Sequence, residues 1–396
     1  MRVDQEEILE ILHHFSALKD PRCHINRKHL LGDLIVICVC GVLSGCDGPI
    51  SISKWAEYKK AWLLQHLELP GGIPSHDTLG RLLMALKPAA FQECFTNWVA
   101  AIMQAKDRVL QLQQAAIDPS LTVPRHIAVD GKTVRRSHDH RRGLGAMHLV
   151  SAWAVNHGVS LGQLATAEKS NEITAIPQLL QHVELQGSIV TIDAAGCQKE
   201  IVATIVEGGG DYCLALKGNQ RNLHKAVVTY TEDKIANDLQ DCQVQTLQQQ
   251  DKKQHGRTDH YTYYQFAAPA TLPGFKLWKN LRSIGVAIRR SRCGDQETVA
   301  VRFYICSLLL NVALFAKIVR GHWGIENTLH WCLDVTFRED DNRVRERNLT
   351  NNMAWLKRFA ISLLKQVSDK ESVAMRRRAC GWNEKYLAQV LFGKET

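Results

Sequence analysis

Between residues 126 and 216, short apolar runs alternate with turn signals in an order that few folds accommodate. His126–Val129, His148–Val155 and Val159–Ala167 read as strands, the last two separated by Asn156-His157-Gly158, a hairpin signal. Asn171–His182 then reads as a helix despite Pro177, and Ser188–Ile192 as a strand. Gln198–Val206 reads as a helix closed by Gly208-Gly209-Gly210, and Tyr212–Leu216 as a strand. Hairpins make antiparallel neighbours and strand-helix-strand crossovers make parallel ones. The order therefore predicts an α/β fold on a mixed five-stranded sheet.

The flanking segments differ in character. Ile8, Leu9, Ile11, Leu12 and Phe15 give residues 1–20 a helical pattern that Asp20-Pro21 stops. Leu30–Leu43 is a nearly all-apolar helix and must be buried. Ile52–Leu67 is helical, Pro70-Gly71-Gly72 breaks it, and Ser75 offers an N-cap to the next helix. Phe91–Leu112 is a further helix. Residues 1–115 are thus expected to form an all-α N-terminal domain. Its tight Pro-Gly-Gly connection suits a DNA-reading helix-turn-helix as well as it suits any helical bundle. Residues 116–124 read as a linker. Residues 218–301 are Gln-rich, polar and β-leaning, and read as a β-rich insertion into a core formed by residues 125–217 and 302–367. Within that core, Leu308–Val319 and Asn352–Val367 are helical. Residues 368–396 read as a basic tail opening on Arg376-Arg377-Arg378.

Charge narrows the partners. Lys and Arg number 49 against 40 Asp and Glu, a formal +9, which is compatible with a polyanionic partner. Twelve cysteines without a Cys-x-x-Cys pair read as buried free thiols in a reduced, cytoplasmic compartment. No secretory signal is legible, and Leu34–Leu43 is shorter than the ~20 residues that cross a bilayer.

Arg320–Arg345 is unusually dense in Trp, His and acidic residues. Ile325, Leu329, Cys332 and Leu333 mark an amphipathic helix, and His322, Glu326 and His330 fall on a four-residue ladder along one face. Upstream, Asp130 and Asp193 follow two strands that this order makes neighbours. Unpaired carboxylates at close range repel, and a pair of Mg²⁺ ions resolves that repulsion. Glu326 is the natural third carboxylate. Each aspartate alone could equally be a turn residue or helix cap. His322, Glu326 and His330 could alone bind zinc, which would leave both aspartates unexplained. Lys132, Arg135, Arg136, Arg141 and Arg142 put positive charge beside Asp130, as a phosphate backbone requires. Lys217 and Asn219 lie at the sheet edge shared with Asp193. Arg320, His322 and His330 are candidates for phosphate contact, and Trp323 and Trp331 for stacking on an unpaired base.

Five segments carry a resemblance: Ala128–Thr133, Glu168–Ile173, Asp193–Gln198, Leu216–Gln220 and Gly321–Asn327. With Gly72–Thr78 in the helical part, they make the chain similar to DDE transposases of bacterial insertion sequences, of the H-repeat-associated type. The resemblance covers essentially the whole chain. It implies a ribonuclease H-like catalytic core in which Asp130, Asp193 and Glu326 bind two Mg²⁺ ions, Mn²⁺ being a substitute, with no organic cofactor. It also implies double-stranded DNA as the partner, cut at element ends and joined to target DNA by a homodimer, with no membrane attachment. A metal-dependent nuclease without strand transfer, or an immobile DNA-binding relic, are the rival readings. Two features depart from the family pattern. Ala195 stands where Met is commoner. Val319, His322 and Leu333 stand where related enzymes place Tyr, Arg and Lys around the glutamate.

Overall fold

A computed structural model describes residues 11–115, 124–166, 172–251 and 257–392. Five helices open it: α1 (Leu31–Leu43), α2 (Pro49–Tyr58), α3 (Lys60–His66), α4 (His76–Ala85) and α5 (Pro88–Ala115). The expected N-terminal helix lies partly outside the described residues, as does the linker. The continuous helix expected over Ile52–Leu67 is interrupted at Lys59. Ser75 caps α4 as its sequence predicts, its Oγ accepting from the Thr78 N–H at 3.3 Å.

The next segment holds β1 (Arg125–Val134), β2 (Met147–Ala154), β3 (Val159–Thr166), α6 (Glu172–Leu180), β4 (Ser188–Ile192), α7 (Lys199–Glu207) and β5 (Asp211–Leu216). After it come α8 (Arg221–Ala236), β6 (Val244–Gln250), β7 (Arg257–Ala267), β8 (Ser283–Cys293) and β9 (Gln296–Cys306). The chain closes with α9 (Val312–Gly324), α10 (Arg347–Leu364), α11 (Val373–Trp382) and α12 (Glu384–Phe392).

The nine strands among the described residues form one sheet in the order β3-β2-β1-β4-β5-β9-β8-β7-β6. β4 lies parallel between β1 and β5, and the remaining pairings are antiparallel. Every residue of β4 is buried, as a strand covered on both faces requires. Two expectations are corrected. The sheet is nine-stranded rather than five-stranded, because β9 pairs with β5, setting Cys213 opposite Cys306 and Leu216 opposite Phe303. The β-rich segment therefore continues the same sheet. It also begins with α8, a helix its polar composition concealed.

One apolar core runs from α1, α4 and α5 through the sheet to α10. Buried polar groups lock the same seam. On α10, the Asn352 amide donates to the carbonyls of Leu83 and Leu86 at the end of α4, at 2.8 and 3.0 Å. Arg377, where a basic tail was expected, is buried in α11. It donates to the carbonyls of Val42 and Cys46 and lies over the Phe337 ring. Among the described residues, no helix is long and apolar enough to cross a membrane.

Glu339 is buried between two cations. Arg358 Nη1 stands 2.7 Å from Oε1 and Lys132 Nζ 3.6 Å from Oε2. Burial pushes its carboxyl up, but Arg358, Lys132 and Lys357 more than offset that and leave it below its ordinary value. We expect Arg358→Met to lower unfolding free energy by about 3–5 kcal/mol, because it strands a buried carboxylate. Pairing it with Glu339→Gln should recover much of that loss. Urea titration of the four proteins in a double-mutant cycle checks this.

Candidate active site

Strand register sets the geometry. β1 and β4 run parallel with Val129 opposite Ile192, so the next residue on each chain is an aspartate. Asp130 lies inside β1, which continues to Val134, rather than at its end. It is nevertheless the first residue beyond the β1–β4 ladder. Asp193 follows β4 directly and is exposed. Its Oδ1 accepts from the N–H groups of Ala195 and Gly196, at 3.0 and 3.4 Å. The turn-capping role is therefore real, and it leaves Oδ2 unused by those two bonds.

The third carboxylate comes from a distorted helix. After Gly324, α9 widens into π-helical turns over Ile325–His330 and Cys332–Thr336, in which the Trp331 N–H reaches the Glu326 carbonyl and the Phe337 N–H the Cys332 carbonyl. Such turns are uncommon and cluster at functional sites. His322 faces Thr191 on β4, whereas His330 Nδ1 stands 3.4 Å from Asp130 Oδ2 on β1. Glu326, between them, is exposed.

Electrostatics couple these groups. Burial, followed by the charges of Asp193, Glu326 and Glu172, pushes the Asp130 carboxyl up to about 7 against the single N–H of Gly131 at 2.9 Å. His330 is driven down to about 3 by burial and by the Arg358 and Lys132 charges, so its ring is neutral. Glu172 is a participant that sequence reasoning missed as a site residue, although it sits in a segment already singled out. It contacts the buried His148, whose Nδ1 is 2.9 Å from Thr133 Oγ1. A Cβ at position 131 would collide with both Glu172 and His148, which explains the glycine after Asp130.

Behind the site, Thr191 Oγ1 stands 2.8 Å from His126 Nε2 and 3.0 Å from His322 Nδ1. A hydroxyl can donate to one ring and accept from the other. Burial is the main cause that lowers both rings, His126 to about 3 and His322 to about 4. His322 is thus a half-buried tie between α9 and β4.

The remaining expected contacts divide. Lys132 is turned inward, 2.7 Å from Asp334 and 3.1 Å from Asp340 as well as near Glu339. Arg135 and Arg136 stay exposed, at 3.1 Å from Asp340 and 3.6 Å from Asp341. Lys217 is exposed, while the Asn219 amide donates to the Ala194 carbonyl and braces the Asp193 loop. Arg320 pairs with Asp251 at 2.8 Å and lies over Tyr261. Trp323 lies against two guanidinium groups, and Trp331 is exposed.

Three carboxylates, one of them raised mainly by burial and further by the charges of the others, are the donor chemistry of a hard divalent cation. Among the described residues, no group of three or more Asp, Glu, His or Cys side chains stands close enough together to hold a metal ion as placed.

Two expectations follow. An aspartate normally titrates at 3.8, so between about pH 4 and 7 the unfolded chain releases the Asp130 proton before the folded one. Stability contributed by that proton is complete below this window and lost as pH rises through it. Asp130→Asn should therefore raise the melting temperature by roughly 1–3 °C at pH 8 in divalent-free buffer and leave it near wild type at pH 4, by calorimetry. Thr191→Val leaves two buried imidazole nitrogens unpaired and should cost about 1–3 kcal/mol in denaturant unfolding, with Thr191→Ser recovering most of it.

A family model described as Transposase DDE domain matches residues 121–364, and one described as DDE_Tnp_1-associated matches residues 12–99. An Escherichia coli K12 protein named H repeat-associated putative transposase YhhI is 36% identical over 395 residues, covering 98% of this chain and 99% of that protein. Putative transposase YncI of Escherichia coli O157:H7 is 34% identical over 389 residues, covering 97% and 95%. A shorter relative from strain K12, named Inactive transposase YbfQ, is 31% identical over 77 residues, covering 19% of this chain and 92% of that protein.

Proposed function

The chain belongs to the DDE transposase family, and from that premise we propose that it cuts DNA at the ends of a mobile element and joins them to target DNA. The observation that supports this reading is the β1–β4 register together with the charge of two further carboxylates reaching Asp130. The β1–β4 register sets Asp130 beside Asp193, and the charges of Asp193 and Glu326 are felt at Asp130. The strand order β3-β2-β1-β4-β5 supports a ribonuclease H-like core over residues 125–217 and 302–367. Residues 218–301 are its β-rich insertion, and residues 1–115 are a helical region suited to holding element ends.

In this reading Asp130, Asp193 and Glu326 hold two Mg²⁺ ions, or Mn²⁺ in their place. Bound there, the ions supply Lewis-acid activation of an attacking oxygen and neutralise charge at the phosphodiester. The chain's own residues do the rest. Asp130 gives up the proton that burial and its neighbours help it keep. Neutral His330 stands against Oδ2 of Asp130 without adding a competing positive charge. Lys132, drawn into the acidic cluster of Asp334, Glu339 and Asp340, braces β1 rather than touching phosphate. Arg135, Arg136 and Lys217 remain exposed beside the site and are the side chains available to a DNA backbone. Water attack on phosphorus breaks the bond to the 3′ oxygen and leaves a 3′-hydroxyl. That hydroxyl then attacks a target phosphodiester. Two ends cut and joined together call for a homodimer on double-stranded DNA, acting in the bacterial cytoplasm at the nucleoid.

The test uses purified protein, DNA from beside its gene, pre-cut ends and a target plasmid. Glu326→Gln should lower cleavage and joining by on the order of 10²–10³ while end binding persists. Cleavage by the wild type without joined products would mean a nuclease instead. Full activity in Glu326→Gln would remove the glutamate from the site.

A further inference from the structure

Glu326 also lines one end of a cavity of about 590 Å³ between α9 and the sheet extension. Its floor follows from register. Tyr261 pairs with Arg289, Arg289 with Ala300, and Ala287 with Arg302, so these side chains share one face of β7, β8 and β9. At the far end of that face, Phe315 packs on Gly285, where a Cβ would collide with its ring, and α9 is pressed to the sheet. Towards Glu326 the floor is small, Ala287 and Ala300, and the helix presents Trp323 above it.

Only part of the charge on this floor is neutralised in place. Arg257 pairs with Asp259 and Arg320 with Asp251. Arg302 and Arg289 lie 4.2 and 5.4 Å from the centre of the Trp323 ring; among the described residues neither forms an ion pair, although the Arg289 charge reaches Asp259 and Arg302 bonds the Tyr304 hydroxyl. An aromatic face holds a guanidinium in place without cancelling its charge. The cavity therefore keeps the unpaired positive charge of Arg289 and Arg302, and its lining includes Glu326, the proposed third carboxylate. Apolar ligands and cations do not suit it, whereas a chain of phosphates does.

We propose that this groove, through Arg289 and Arg302, binds the phosphodiester backbone of the DNA strand leading into the site. The inference rests on the transposase reading. It adds a backbone track on the sheet extension that leads to the carboxylates. The strand could come from the element end or from target DNA, and the same interactions with phosphate would serve either.

The test is the salt dependence of binding, measured by fluorescence anisotropy. Two duplex probes are used, one from DNA beside the gene and one of unrelated sequence. Arg289→Ala with Arg302→Ala should weaken binding by about 10–100-fold and make the log–log salt slope shallower by roughly 2, at about 0.9 for each phosphate no longer neutralised. Arg290 and Arg292 alternate to the opposite face of β8. Arg290→Ala with Arg292→Ala removes the same charge and should leave the slope unchanged. Arg289→Lys with Arg302→Lys should keep most of it, which separates charge from folding. A shallower slope on the flanking probe alone assigns the groove to the element end, and on the unrelated probe alone to target DNA. On both probes it marks a track common to the two. An unchanged slope, or an equal change in the Arg290/Arg292 protein, overturns the groove while the transposase reading stands. Absence of any DNA binding by the wild type overturns both.

Discussion

A single buried carboxylate holds the site's components together. Glu339 lies where the chain returns from the π-helical turns, Arg358 comes from the middle of α10, and Lys132 stands two residues after Asp130 on β1. None of these groups has water to fall back on, so each is tolerable only with the others present. The consequence is mechanical. The strand carrying Asp130 and the segment following Glu326 are clamped to one helix, and that helix is buried along nearly its whole length.

Charge is distributed unevenly around this clamp. On one side, cations are consumed by structure: Lys132, Arg358 and Arg377 are buried against carboxylates and carbonyls. On the other, Arg289 and Arg302 are held by an indole that leaves their charge available. Basic residues that look alike in sequence thus do opposite work. The same division separates the histidines. His322 and His330 are half-buried and neutral, and they hold α9 and the turns after it to β4 and β1.

Much of this arrangement is legible in the sequence, and the reasons differ by feature. The strand order from β1 to β5 can be read because each run is short, apolar and punctuated. The neighbourhood of Asp130 and Asp193 follows from that order alone. Helix α8 escapes sequence reading because Arg221–Ala236 carries few apolar residues and buries only a narrow face. The continuity of nine strands is hidden because the pairing of β5 with β9 joins residues some 90 positions apart, which local pattern cannot register. The π-helical turns read as ordinary helix, since the residues that widen them are indistinguishable by periodicity from those of an α-helix. Lys132, Arg376 and Arg377 belong to the surface by residue type, and only tertiary packing reveals the carboxylates and carbonyls waiting for them.

The unbroken sheet has a metrical consequence. Strands β5 and β9 are joined by backbone hydrogen bonds, so the extension cannot swing on a hinge relative to the carboxylates. Its side chains are spaced by the fixed rise of a strand, about 3.3 Å per residue. An extended polymer lying across that surface meets a ruler rather than a jaw. On the proposed reading, a DNA strand lying there adapts by its own bending more than by movement of the sheet, and how easily a given DNA deforms becomes part of how it is chosen.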